Sequence, residues 1–309
     1  MEIYQIVLIV ISSLLLLFLI LAFLIGKTFF KVSFSRRKDD ERFAELENPE
    51  DKKQPNRIWY FSNKLEEIEI LSQDKLKLKG YFLNNNSSKL AILIHGYRGR
   101  YYSLVSQARI FYENGFDVLA INNRAHDTSE GKYFSMGPKE SNDVLLWIDK
   151  MIERNPNYQI ALFGVSMGGH IAMMSASKKE IPSNVKCVGE DCGYASLKEI
   201  LLNGAKNSKI LFPRFALTMG EIYAKIFHHF SFNDSTKNAF KNLKLPILFI
   251  HGDKDNYVPF KNLDENYNNV PDGIYKEKVV FEGIDHNRSV TRYDKYKKVV
   301  NDFVNKFIK

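Results

Sequence analysis

Six short runs of nearly uninterrupted apolar residues recur along this chain, at Leu90–Ile94, Phe116–Ile121, Gln159–Phe163, Val185–Val188, Ile247–Ile250 and Lys278–Phe281. Strands buried on both faces read this way, because neither face can carry the alternating polar residues of a half-wet sheet. Stretches of helix length separate the runs, among them Ser103–Tyr112, Ser141–Ile152, Met167–Ser177 and Tyr293–Phe307. Strand and helix in repetition predict an α/β fold, with a mostly parallel central sheet flanked by helices on both faces. Upstream, Glu66–Leu71 and Lys75–Leu83 switch between apolar and polar with period two, as an antiparallel pair extending one edge would. The pattern fails over Tyr194–Leu243, about 50 residues without a strand signal but with helical spacing at Leu197–Ala205 and Phe215–Phe227. That segment reads as a helical lid insertion.

One junction between a strand and a helix carries chemistry. Gly164-Val-Ser166-Met-Gly168 lies between an apolar strand and a helix of small residues. A sharp strand-to-helix elbow forces its central residue into strained backbone geometry and lifts that side chain above the sheet. The residues two positions away must be small, because the two chain segments almost touch. Ser166 is therefore the candidate nucleophile. A serine hydroxyl attacks poorly until a histidine removes its proton, and a carboxylate must fix that histidine's tautomer. Both partners follow in the order such sites use. The strand Leu245–Ile250 opens into the polar loop His251–Pro259, with Asp253 and Asp255, and the strand Val279–Phe281 leads to Asp285-His286. Both loops emerge at the carboxyl edge of the sheet, beside the elbow, where open α/β sheets bind ligands. At Leu90–Gly99 a strand ends in His95-Gly96, a turn that would aim the Tyr97 backbone amide at an oxyanion together with the Met167 amide.

At these residues the chain resembles the α/β-hydrolase superfamily, and within it the membrane-anchored bacterial serine hydrolases of uncharacterised substrate. The similarity covers residues 58–309. It rests on His95-Gly96-Tyr97-x-Gly99, Gly164-x-Ser166-x-Gly168-Gly169, Glu190-Asp191-Cys192-Gly193-Tyr194, His251-Gly252-x-x-Asp255-x-x-Val258-Pro259 and the His286 loop. The resemblance implies that Asp255 is the acid of the triad, ahead of Asp253, Asp285, Glu190 and Asp191. The family usually carries Arg-Gly-His-Gly and then Ser-Glu-Gly after the fourth strand. Here Arg124-Ala125-His126-Asp127 precedes Ser129-Glu130-Gly131, so both glycines of the first motif are replaced.

Other residue types are assigned more ordinary roles. His95 and His251 are expected to hold turns, His126 and His170 to sit near the site without a defined role, and His228-His229 to face solvent or lipid. None of these sets has metal-ligand spacing on one helix, so neither a metal nor another cofactor is expected. Cys187 and Cys192 are five residues apart in an extended segment, roughly 16 Å, too far for a disulfide, and are expected to be buried thiols. Phe212, Phe215, Tyr223, Phe227, Phe230 and Phe232 in the insertion should mostly pack, with some available to line an acyl pocket.

The N-terminus is different in kind. Ile3 to Ile25 contain no charge and, as a helix, would reach roughly 35 Å, enough to cross a hydrocarbon core of about 30 Å. Glu2 in front of the run, its length and the absence of a small-x-small site separate it from a cleaved signal peptide. Lys27, Lys31, Arg36, Arg37 and Lys38 all follow it, which places the remainder of the chain on the cytoplasmic side of a cell membrane. Those five residues and Glu2 account for half of the chain's formal net charge of +8, so the basic balance reports topology and anionic lipid contact, not nucleic acid. The expected organisation is a transmembrane anchor over residues 1–26, a juxtamembrane linker over 27–57, and a hydrolase domain over 58–309 with its lid at 194–243. The expected function is membrane-tethered hydrolysis of a small-molecule ester or acyl substrate through an acyl-serine. A catalytically silent scaffold binding a partner or lipid, and a serine peptidase or acyltransferase of the same fold, are the alternatives.

Overall fold

The structure, a computed structural model, describes residues 2–36 and 55–309. Arg37, Lys38 and most of the expected juxtamembrane linker lie outside the described residues. The chain divides into two compact units, Met1–Ser35 with Lys198–Asn233, and Arg36–Leu197 with Asp234–Lys309.

The larger unit is built on eight strands: β1 (Glu66–Leu71), β2 (Lys77–Leu83), β3 (Lys89–Ile94), β4 (Asp117–Ile121), β5 (Gln159–Val165), β6 (Val185–Asp191), β7 (Ile247–Gly252) and β8 (Lys276–Phe281). Their order across the sheet is β1-β2-β4-β3-β5-β6-β7-β8. β1 pairs antiparallel with β2 and β2 antiparallel with β4, while every pairing from β4 onward is parallel. The two strands with period-two alternation thus form the wet edge, as their pattern requires. β3 pairs on one side with β4 and on the other with β5, so successive connections leave it in opposite directions. Such a reversal opens a crevice at the carboxyl ends of the strands.

Helices cover both faces. On one, Ala91, Leu93, Ala161 and Phe163 pack with Tyr60 of α2 (Pro55–Ser62), Ala108 and Phe111 of α3 (Val105–Glu113), and the C-terminal helix α10 (Tyr293–Phe307). Tyr296, Val300, Phe303 and Val304 of α10 recur at helical spacing and form its buried stripe. On the other, Trp147 of α4 (Glu140–Arg154) reaches Gly80 of β2, where a Cβ would lie 3.1 Å from its ring. α5 (Met167–Ala176), buried along its length, follows β5 without a linker. Two short helices complete the unit, α8 (Thr236–Ala239) and α9 (Lys261–Asn269). β8 corrects one expectation: it is not doubly buried. As the outer strand it exposes much of its length, and Lys278 reaches Asp264 on α9 at 2.6 Å.

Arg36, read from sequence as part of the basic flank of the anchor, has protein partners as well. Its guanidinium donates to the carbonyls of Asp127 and Ser129, and its amide donates to Lys132 O at 2.9 Å, so it belongs to the larger unit.

The smaller unit consists of α1 (Ile3–Phe34), α7 (Pro213–His228) and most of α6 (Leu197–Asn207). α1 is long and apolar enough to cross a membrane. It continues eight residues past the boundary expected at residue 26, because Phe29, Phe30 and Phe34 find partners. Phe30 stacks on His228 with ring centroids 4.0 Å apart, and Phe34 meets Phe230 and Phe232 at 5.4 Å each. His228 therefore packs against an aromatic ring where solvent or lipid was expected. The insertion, counted with the hydrolase domain on sequence, is grouped over Lys198–Asn233 with α1. Close backbone approach explains this: a Cβ on Gly26 would lie 2.4 Å from Met219 O, and one on Gly220 2.4 Å from the Phe29 ring.

Candidate active site

Ser166 sits between β5 and α5 with φ 57° and ψ −118°, a conformation rarely adopted by a residue with a side chain. The elbow is enforced by contact on both sides. A Cβ on Gly164 would fall 2.0 Å from Gly168 O, and one on Gly168 1.9 Å from Ile94 O, so neither position accepts a side chain without moving backbone. The Ser166 amide is tied to Asp191 O at 2.8 Å.

His286 reaches the serine from the loop after β8. Its Nε2 lies 2.9 Å from Ser166 Oγ and its Nδ1 2.7 Å from Asp255 Oδ2. A carboxylate can only accept from the ring, so Nδ1 carries the proton and Nε2 is left to accept from the hydroxyl. Asp255 Oδ1 accepts the amides of Tyr257 and Val258 at 2.9 and 2.8 Å, which fixes the carboxylate within its own loop. His251 Nε2, donating to Val258 O at 3.0 Å, also approaches Asp255 Oδ2 at 3.2 Å. Although burial opposes ionisation, the hydrogen bonds from His251 and His286 hold Asp255 down to about 2.

The other acids are engaged elsewhere. Asp253 accepts the Gly283 amide at 2.6 Å and joins the two loops, while Asp285 accepts the His286 amide at 2.7 Å. Glu190 accepts the Gly193 amide at 2.5 Å, and burial pushes it well above the ordinary carboxylate range. Asp191 accepts the Ser289 hydroxyl at 3.1 Å and is raised to about 6, again chiefly by burial.

The turn after β3 lies against the serine, since a Cβ on Gly96 would be 3.3 Å from Ser166 Cβ. His95 is buried, with Nδ1 bonded to Gly96 O at 2.8 Å and Nε2 accepting the Asn123 amide at 3.1 Å. His126 accepts the Arg98 amide at 3.2 Å and donates to Arg124 O at 2.8 Å. Both rings thus brace the turn that carries Tyr97, a role sequence spacing assigned to His95 and not to His126.

Comparison with solved structures decides the architecture. The esterase Pf2001 of Pyrococcus furiosus superposes with a TM-score of 0.67 at 24% sequence identity, over 81% of this chain and 94% of that one. The fold is that of the α/β-hydrolases. A family model described as serine aminopeptidase, S33, matches residues 85–188. The uncharacterized protein YqkD of Bacillus subtilis is 24% identical over 234 residues, 74% of this chain and 75% of that protein. The uncharacterized membrane protein YNL320W of Saccharomyces cerevisiae is 25% identical over 249 residues, 77% and 79% respectively.

Within this α/β-hydrolase fold, the loop with the replaced glycines keeps a backbone suited to glycine. Ala125 has φ 59° and Asp127 φ 41°, and Asn122 Nδ2 holds the Asp127 carboxylate at 3.1 Å. Arg124 anchors the loop through a bidentate pair with Asp143, both contacts at 2.7 Å, and through Asp74 at 2.7 Å. His170 donates to Tyr194 O at 2.8 Å and stacks on the Tyr194 ring.

Two residues that sequence did not place beside His286 lie there. The Tyr257 ring lies 5.0 Å from that of His286. Cys192, with φ 51°, brings its sulfur within 4.8 Å of ligand atoms of Asp255 and His286, a set of donors that could hold a metal ion. The donors suit the hydrogen-bonded line from Ser166 to Asp255 better than a cation. Burial raises the Cys192 thiol well above its ordinary value, which keeps it protonated, and both ring nitrogens of His286 are already bonded. Cys187 and Cys192 are both free and buried.

Proposed function

We propose that this protein is a membrane-anchored serine hydrolase that cleaves carboxylic esters through an acyl-serine intermediate. The observation that carries the reading is the continuous hydrogen-bonded line from Ser166 Oγ through His286 to Asp255, with contacts of 2.9 and 2.7 Å at a strained elbow. In this reading His286 Nε2 takes the Ser166 proton as Oγ attacks the carbonyl carbon, and Asp255 stabilises the imidazolium that results. The Tyr97 and Met167 amides hold the oxyanion, each such donor contributing about 3 kcal/mol to the transition state. His286 then protonates the leaving alkoxide. A water deprotonated by the same ring attacks the acyl-serine and frees the acid.

The ester reading is favoured by the solved esterase of the same fold. Amide cleavage is the second reading, and the serine aminopeptidase description of the matching family model favours it. The uncharged run of α1, followed within the same helix by Lys27 and Lys31, supports an anchor in the cell membrane with the hydrolase unit on the cytoplasmic side. The purified full chain should hydrolyse p-nitrophenyl esters of graded acyl length faster than aminoacyl p-nitroanilides, with Ser166→Ala and His286→Ala both inactive. Ester turnover that survives Ser166→Ala would remove the reading. Faster anilide cleavage would replace the ester with an amide.

A further inference from the structure

The insertion packs on the apolar helix in the manner of membrane helices. On α1 the small buried residues are Ala22 and Gly26, and on α7 Ala216, Gly220 and Ala224, each set spaced by four. Small residues at this spacing let two backbones approach closely, as the Gly26–Met219 and Gly220–Phe29 contacts show. The ring pairs give the direction of packing. Phe215 meets Phe18 at 6.3 Å, Tyr223 meets Phe23 at 5.7 Å, and His228 stacks on Phe30. The two helices therefore run parallel, and the N-terminal end of α7 lies level with the interior of the uncharged run.

That level can be measured along α1. Phe18 precedes Ile25, the last residue of the uncharged run, by seven residues, so the ring that meets Phe215 sits roughly 10 Å below the end of the run. The tip joining α6 to α7, Ile210-Leu211-Phe212, is the next segment in that direction, and its side chains are turned outward, Leu211 80% and Phe212 70% exposed. Ile222, Ile226 and Phe227 extend the exposed apolar surface along α7, continuous with that of α1. From Ile200 to Gly220 there are three cations, Lys206, Lys209 and Arg214, and no acid. Long basic side chains can lie along apolar surface while their charges reach the anionic headgroups.

We infer that the α6–α7 hairpin is a second membrane element, dipping beside α1 into the leaflet nearest the hydrolase unit, with Leu211 and Phe212 among the acyl chains. Its partner is an anionic phospholipid bilayer. The inference rests on the anchor reading of α1, and the test separates the two.

In the full chain, Leu211→Cys and Leu16→Cys are labelled one at a time with an environment-sensitive fluorophore, and Lys179→Cys, exposed on the larger unit, serves as the aqueous control. Cys187 and Cys192 are buried and do not compete for the label. Each protein is reconstituted into phosphatidylcholine–phosphatidylglycerol vesicles and quenched separately by nitroxide-bearing lipid and by aqueous iodide. Both Leu16 and Leu211 should lose emission to the lipid quencher and resist iodide, while Lys179 does the reverse. Leu16 quenched by lipid and Leu211 by iodide would overturn the hairpin and leave the anchor standing. Iodide quenching at Leu16 would overturn the anchor and the hairpin with it.

Discussion

Asp255 Oδ2 accepts a hydrogen bond from His286 Nδ1 at 2.7 Å and at the same time lies 3.2 Å from Nε2 of His251, so one buried carboxylate oxygen serves two imidazoles. The first contact fixes which nitrogen of His286 faces Ser166. Asp255→Asn offers an amide that can donate toward Nδ1, which favours the tautomer with its proton on Nε2. That proton would point at Ser166 Oγ and block its activation. The variant should fold and lose about 10⁴-fold in kcat for ester hydrolysis, read by spectrophotometric assay. A loss below tenfold would remove Asp255 from the role.

Asp191 is shifted in the opposite direction to Asp255. Its folded value, raised by burial from 3.8 to about 6, lies above the unfolded one. Between these values the native state holds a proton that the unfolded chain has released. Stability therefore falls as pH rises through this window, by on the order of 3 kcal/mol for this group. Asp191→Asn removes the term. In urea unfolding the variant should gain on the wild type between about pH 4 and pH 7. Parallel pH dependences for the two proteins would contradict the assignment.

Ala125 occupies a left-handed position, φ 59°, in the loop braced by Arg124. A Cβ there costs about 1–2 kcal/mol, partly offset by the chain entropy that glycine adds to the unfolded state. Ala125→Gly should raise stability by about 0.5–1 kcal/mol in the same urea assay. A decrease would mean that the Ala125 methyl, which is buried, contributes packing that outweighs the strain.

Gly220 faces Phe29 across the α1–α7 contact with no room for a side chain, whereas nothing lies within 4 Å of a Cβ on Gly204. Gly220→Leu should lower the thermal midpoint of the full chain in detergent, through overpacking of about 1–3 kcal/mol. Gly204→Leu should not lower it. Equal effects would show that the close approach of the two helices does not contribute to stability.

The sheet was legible because its inner strands, β3 to β7, are buried on both faces and declare themselves as apolar runs, and because β1 and β2 alternate as half-wet strands must. Ser166 was legible for a local reason: an elbow needs Gly164 and Gly168, and both are within two residues. Local signals were weaker where tertiary contacts decide. The end of α1 could not be read at Lys27 because the residues that keep the helix going, Phe29, Phe30 and Phe34, are stabilised by rings some 200 residues away. The carbonyls of Asp127 and Ser129 that Arg36 meets lie some 90 residues away, and nothing near it in sequence announces them. The His251 contact with Asp255 and the bracing by His126 depend on how loops fold back, and spacing alone does not encode that.

The proposed hydrolysis depends first on Ser166 as the activated nucleophile. The full chain in detergent is treated with a fluorophosphonate, and the phosphonylated residue is located by mass spectrometry of its peptides. A single adduct on Ser166 is predicted, absent in Ser166→Ala and strongly slowed in His286→Ala. An adduct on another serine, or undiminished labelling of Ser166→Ala, would contradict it.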